Sequence, residues 1–251
     1  PAILMNAPEG EKHWQREPPA GSRTPYRRAA LASWITDTEQ GAGQLLARVI
    51  VNRLWQHHFN RGIVSTPSDF GFKGEPPTHP ELLDWLASEL IANGWSLKHI
   101  QKLVLTSATY RQNAAHDDAK AHSDPMNALV WRYPRQRLEA EVIRDAMLSV
   151  SGQLDAAMFG PSTLDPDMKR RSIYFMVKRS KLMPMMTVFD APDATAGIDR
   201  RPCTTIAPQA LMVINNPNVR ASAEALAKRM CPDAATELAA AVRQGFMVTV
   251  G

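Results

Sequence analysis

Residues 44–59 read QLLARVIVNRLWQHHF, and this stretch decides the fold class. Leu45, Leu46, Val49, Ile50, Leu54, Trp55 and Phe59 recur at the three-to-four spacing of a buried helical stripe, not at the two-residue alternation of a strand. A core helix over 44–59 is therefore expected. Upstream, Arg27 to Ile35 is rich in Ala and Leu, with Trp34 three positions after Leu31, which predicts a shorter helix. Downstream the chain turns near Gly62 and runs through Pro67, Gly71, Gly74, Pro76 and Pro77. It restarts where Thr78 stands three residues before Glu81, the spacing of a reciprocal capping box, ahead of Leu82, Leu83, Trp85, Leu86 and Leu90. Gly94 closes that helix, and Ser96 caps another with Leu97, Ile100, Leu103 and Val104 on one face.

The second half is less regular. A polar stretch holding His116, Asp117, Asp118, His122, Ser123 and Asp124 reads as a solvated loop. A long helix is expected from Leu138 to Leu154, with Val142, Ile143, Ala146, Met147 and Val150 as its apolar stripe. Ile173, Phe175 and Val177 then alternate with Tyr174 and Met176, which predicts a short strand between Arg171 and Lys178. An irregular segment from Lys181 to Pro208 precedes helices from about Asn218 to Met230 and from Asp233 to Gln244. The expected fold class is mainly α: an irregular multi-helix domain with long Pro/Gly-rich loops and one short strand or hairpin. Residues 1–25, which include Pro8, Pro18, Pro19 and Pro25, read as a linker from an upstream region, and 26–251 as a single mostly helical domain cut at its C-terminus.

Composition narrows the functions. The 251 residues are 44% apolar and 22% charged, ordinary globular values. No apolar run reaches the eighteen residues that a membrane span needs. Lys and Arg exceed Asp and Glu by only 29 to 25, and no helix-turn-helix or stacking surface accompanies the basic residues, so nucleic acid is not an expected partner. Two cysteines, Cys203 and Cys231, exclude a disulfide-rich scaffold; they pair in an oxidising compartment or stay free and buried in a reducing one. Neither lies in a CxxCH sequence, so this chain attaches no c-type haem of its own.

Two constellations carry candidate chemistry. The first, NRLWQHHFNRGIVSTPSDFGFKGEPPTHPE over 52–81, gathers Arg53, His57, His58, Arg61, Asp69, Glu75 and His79. His57, His58, Asp69, Glu75 and His79 are the candidate acids, bases or ligands of a catalytic site. Adjacent histidines on a helix point about 100° apart and cannot both face one metal, and no HExxH-type spacing is present, so no metal is expected. The competing reading is structural, with a histidine capping carbonyls at the helix end and Asp69 making an Asx-turn. The second constellation runs from Arg170 to Leu211. Its candidate binding residues are Arg171, Asp190, Asp193, Arg201 and Gln209. Three readings are open: its cations form a solvated edge, or Arg171 or Arg201 is buried in a bidentate pair with Asp190 or Asp193, or the segment binds an anion or a sulfated polysaccharide. Met183, Met185, Met186 and Phe189 form an adaptable apolar patch, read first as core packing and second as a partner contact.

Several long motifs together resemble one known family. VNRLWQHHFNRGIVSTPSDFGFKGEPPTHPELLDWLA at 51–87, LVLTSATYRQ at 103–112, RRSIY at 170–174, FDAPD at 189–193 and TTIAPQALMVINNP at 204–217 are similar, in order, to the planctomycete cytochrome-associated C-terminal domain, domain of unknown function 1553. The resemblance covers roughly Arg27 to Met230. It implies an exported, periplasmic or secreted, multidomain protein whose upstream cytochrome-like domain carries haem c, beside a second uncharacterised domain, and whose context includes polysaccharide use. It carries over no catalytic residue. The expected function is an interaction or structural module serving electron transfer or polysaccharide use. The alternative is an enzyme domain acting oxidatively or hydrolytically on polysaccharide through the His/carboxylate site.

Overall fold

The computed structural model describes residues 13–195, 197–233 and 237–250. The first twelve residues of the expected linker, and 234–236 of the expected last helix, lie outside the described residues. Among the described residues the chain is helical without a sheet, in agreement with the mainly α expectation. It divides into two compact units, one reaching to Gln136 and the other beginning at Arg137. No helix among the described residues is long and apolar enough to cross a membrane.

The first unit contains α1 (Arg27–Thr36), α2 (Gly43–Phe59), α3 (Pro80–Ala92), α4 (Leu97–Thr106) and two short helices, α5 (Ala108–Arg111) and α6 (Asp118–Ser123). Its core joins Ala47, Val51, Trp55 and Phe59 of α2 to Leu83, Leu86, Ala87 and Leu90 of α3 and to Ile100 and Val104 of α4. Each large aliphatic side chain buried here contributes about 1.5–3 kcal/mol. The face of α2 turned inward is rotated from the expected stripe: Leu45 is 38% exposed, whereas Asn52 is fully buried. The helix ends at Asn60, whose φ of 61° supplies the left-handed residue that terminates many helices.

The capping box expected at Thr78 does not form. Pro80 occupies the first helical turn and His79 is the N-cap of α3, without a side-chain cap. Thr78 is used elsewhere, its backbone N–H and hydroxyl both donating to the Ile63 carbonyl at 2.9 and 3.3 Å. Ser96 does cap α4, accepting from the His99 N–H. The polar stretch at 116–124, expected as a loop, holds α6, because the Asp117 carboxylate caps it at the Lys120 N–H. Ahead of α1, Trp14 is buried and donates its indole N–H to Asp37 at 2.9 Å, so the segment read as linker is fastened at that point.

The second unit contains α7 (Ala140–Val150), α8 (Pro184–Val188), α9 (Ala207–Asn215), α10 (Pro217–Met230) and α11 (Leu238–Val250). Its core centres on Ala140, Met186 and Phe189, with Met183 and Met185 packed against them, so the methionine patch is core packing first. Here too the inward face of a helix is not the expected one: in α7 Arg144 and Leu148 are buried while Val142 is 46% exposed. Asn216 joins α9 to α10, its side-chain oxygen accepting from the N–H groups of Asn218 and Val219 ahead of Pro217.

The strand expected over Arg171–Lys178 resolves into a 3-10 turn, Ser172–Tyr174, flanked by isolated bridges. The reason is local. The Arg144 guanidinium donates to the carbonyls of Met168 and Arg170 and to the Ser172 hydroxyl, and the Asp145 carboxylate accepts from the Ser172 N–H at 2.8 Å and its hydroxyl at 2.6 Å. Two side chains of α7 thus satisfy backbone groups that a neighbouring strand would otherwise pair. Cys203 and Cys231, expected to be buried if free, are exposed free thiols.

Candidate functional site

The loop after α2 is held by one buried amide. Asn52 donates to the Val64 carbonyl at 3.0 Å and accepts from the Val64 N–H at 2.8 Å, two bonds that tie residue 64 back to the middle of the helix. A Cβ at Gly62 would stand 2.6 Å from the Asn52 side-chain nitrogen, so glycine there lets the chain pass. Further along, Asp69 makes the expected Asx-turn, accepting from the Gly71 N–H at 2.8 Å. Thr66 donates its hydroxyl to the Asp69 carbonyl at 2.9 Å and accepts from the Glu75 N–H at 3.0 Å.

These bonds disperse the candidate catalytic residues. His57 is exposed, and among the described residues neither it nor His58 donates a side-chain bond to a helix-end carbonyl. His58 is half-buried and packs edge-on against Tyr110 with ring centroids 5.6 Å apart. Burial, and then the neighbouring His57, push its pKa below the ordinary value. The His58 carbonyl accepts from Tyr133 and Gln136. His79 lies at the start of α3, its Nδ1 2.9 Å from the Thr78 hydroxyl. Glu75 is exposed and lines a cavity of about 490 Å³ with Phe70, Pro77 and Leu83, a cavity that His57, His58, Asp69 and His79 do not line. Among the described residues, no group of three or more His, Cys, Asp or Glu side chains is arranged to hold a metal ion.

The second unit offers a better-formed site. A cleft of about 680 Å³ opens beside α7, the 170s segment and α8. Small-molecule sites occupy about 300–1,000 Å³. Three of the five expected binding residues, Arg171, Asp193 and Arg201, line it. Its apolar side is formed by Phe175, Met183 and Met186, which also line a smaller cavity of about 130 Å³.

The ion pairs differ from those expected. Arg201 grips Glu141 with two bonds of 2.7 and 3.2 Å, and Glu139 lies 3.4 Å away. Burial works to raise the Glu141 carboxyl, but the Arg201 hydrogen bond, its own backbone N–H and the Arg201 charge together hold it below its usual value. The same hydrogen bond, against the opposing effect of burial, raises the Arg201 guanidinium. Asp190 pairs instead with Arg137 and receives the N–H and hydroxyl of Thr204 at 2.8 and 2.9 Å. The Thr204 N–H, before the Arg137 and Thr204 side chains, depresses its pKa against burial. Asp193 is exposed and accepts from the Thr195 N–H at 2.8 Å, while Arg171 is exposed with its Nε 3.8 Å from Asp145. The expected partners failed because Glu139 and Glu141 at the start of α7 lie nearer to Arg201, and Arg137, just before that helix, lies nearer to Asp190. Gln209 is buried and donates to the Val188 carbonyl and Thr204 hydroxyl at 3.1 and 3.3 Å, which makes it a brace under the site.

Sequence reasoning missed Glu141, Asp145, Arg137, Lys178 and Lys181 as site residues. The available signal was Arg144 within an otherwise apolar helical stretch beside two acids, since a cation so placed must find acceptors nearby. Together these features define a mainly α chain with a charged, methionine-walled cleft. The chain belongs to the PSD1 family, described as protein of unknown function (DUF1553), whose model matches residues 27–251. Neither a curated protein nor a solved structure matches the chain.

Proposed function

We propose that this chain is a binding module, not a catalytic one: the interaction domain of an exported, periplasmic or secreted, cytochrome-c-associated protein, with the cleft of the second unit as its working surface. The observation that supports this most is the dispersal of the loop residues. Asp69 and His79 are engaged in turn and helix-start contacts, and Glu75 lines a cavity without them. By contrast, the cleft beside α7 combines apolar area with charged groups held in fixed geometry. In this reading the haem resides on an upstream domain, and the module holds that domain against its partner or against a polysaccharide-bearing surface.

The test uses the full-length protein purified from its native compartment, with haem spectroscopy, metal analysis and partner co-purification. His57→Ala, His58→Ala and His79→Ala are expected to leave metal content and activity unchanged. Ile173→Asp with Val177→Asp, at cleft positions 72% and 81% exposed, is expected to abolish partner association without unfolding the chain. Loss of metal or activity in the histidine variants, with association intact in the cleft variant, would establish the enzyme reading instead.

A further inference from the structure

The charges facing the cleft of the second unit are unevenly matched. Arg201 is held by Glu141 and Glu139, Arg171 lies against Asp145, and the Asp193 carboxylate receives the Thr195 N–H. Lys178 and Lys181 also line the cleft, both exposed, and neither has a carboxylate partner among the described residues. A tight turn fixes them side by side, the Lys181 N–H donating to the Lys178 carbonyl at 3.1 Å. Lys178 and Lys181 therefore stand together at one rim without an ion-pair partner among the described residues, while Glu139, Glu141 and Asp145 of the lining are engaged by Arg201 and Arg171.

Beside that rim the wall is apolar. Ile173, Val177 and Leu182 are 72%, 81% and 45% exposed, and Phe175, Met183 and Met186 continue the surface inward. Exposed apolar side chains gathered in a cleft next to unpaired cations match a ligand with an anionic head and an apolar body. The thioethers of Met183 and Met186 are flexible and polarizable, so the wall can follow the shape of such a body. A neutral sugar fits less well. Sugar sites present open aromatic faces, and Phe175, the aromatic residue lining this cleft, already has the Arg144 guanidinium 4.6 Å from its ring centroid.

We propose that the cleft takes a small amphiphilic anion, a carboxylate or sulfonate on an apolar body, with its head at Lys178 and Lys181 and its body along Ile173, Val177, Leu182 and Met183. This deepens, and rests on, the reading of the cleft as the module's working surface. Calorimetric titration of the full chain with dodecanoate, dodecanol, dodecyltrimethylammonium and an acidic peptide, all below micelle formation, tests it. Dodecanoate is expected to bind roughly tenfold more tightly than dodecanol, and the trimethylammonium compound more weakly still. Lys178→Glu with Lys181→Glu, on the exposed rim, should weaken dodecanoate by roughly tenfold and leave dodecanol unchanged. Ile173→Asp with Val177→Asp should weaken both, with circular dichroism verifying that each variant stays folded. Equal binding of dodecanoate and dodecanol, no binding of either, or indifference to the lysine reversals overturns the proposal. So does a peptide that binds more tightly than dodecanoate, which would assign the cleft to a protein partner. These failures leave the module reading standing, because that reading falls only if the cleft variant keeps its partner in the full-length protein.

Discussion

Replacing Asn52 by Ala removes both bonds that this residue makes to Val64, at 3.0 and 2.8 Å, from a site where Asn52 is 0% and Val64 3% exposed. Each buried backbone group left without a partner costs about 1–3 kcal/mol. The space vacated by the amide admits some relaxation, so the expected loss for the pair is about 2–4 kcal/mol, or a fall in melting temperature of roughly 10 °C for a unit of this size. Urea unfolding followed by tryptophan fluorescence reads the loss, since Trp55 packs on Phe59 one turn from the site with ring centroids 4.2 Å apart. Hydrogen exchange at the Val64 amide supplies a local readout. The isosteric Asn52→Asp adds a sign. Its carboxylate still accepts from Val64 N–H but faces the Val64 carbonyl without a proton, so its folded pKa rises above the unfolded value of about 3.9. Between those two values the native state holds the proton that the unfolded state has lost, and stability relative to the parent falls as pH rises. A loss below about 1 kcal/mol for Asn52→Ala, with Val64 exchange unchanged, would refute the claim that this amide holds the loop.

Four further outcomes follow from the same geometry. Gly62→Ala places a Cβ 2.5 Å from the Val64 carbonyl oxygen and 2.6 Å from the Asn52 amide nitrogen, neither free to retreat, and should cost about 1–3 kcal/mol in the same urea assay. Asp37 is held at a pKa of about 2, first by the Gln40 N–H and then by the Trp14 indole and Glu39 N–H; Trp14→Phe should move its carbon-13 titration midpoint up toward 3.8. Because its folded pKa is depressed, the stability Asp37 contributes is full above pH 3.8 and disappears as pH falls toward 2. Arg144→Met releases the carbonyls of Met168 and Arg170 and should accelerate hydrogen exchange through 168–175, with a stability loss of about 2–4 kcal/mol on thermal melting. Glu141→Gln breaks the charge pair with half-buried Arg201, and about 1 kcal/mol or less should be lost above pH 4.5, shrinking as the parent carboxylate protonates in acid.

Helix positions were legible where apolar density was high, and helix phase was not. In α2 apolar residues occur on most sides of the cylinder, so spacing picked Trp55 and Phe59 correctly but also the exposed Leu45, and it passed over Ala47, Val51 and Asn52 on the packed face. A polar residue enters a core only because of a partner elsewhere in the chain, here Val64, twelve positions on. The same holds for Arg144, whose stem packs while its guanidinium reaches three backbone or hydroxyl oxygens. The alternation at 173–177 was real, but alternation predicts a strand only when another strand is available to pair with it. At the candidate sites the ion pairs differ from those expected. Asp190 and Arg201 each sit in an ion pair, with Arg137 and Glu141 as the partners, because proximity in the folded unit, not order along the chain, chooses among several arginines and acids.

Phe175, Met183 and Met186 face two cavities at once. These side chains are a shared wall between the cleft and a chamber of about 130 Å³ behind it. That chamber reaches Asn216, Asn218 and Ser222, at the start of α10. The start of α10 and the cleft are therefore separated by a single layer of side chains, two of them methionines.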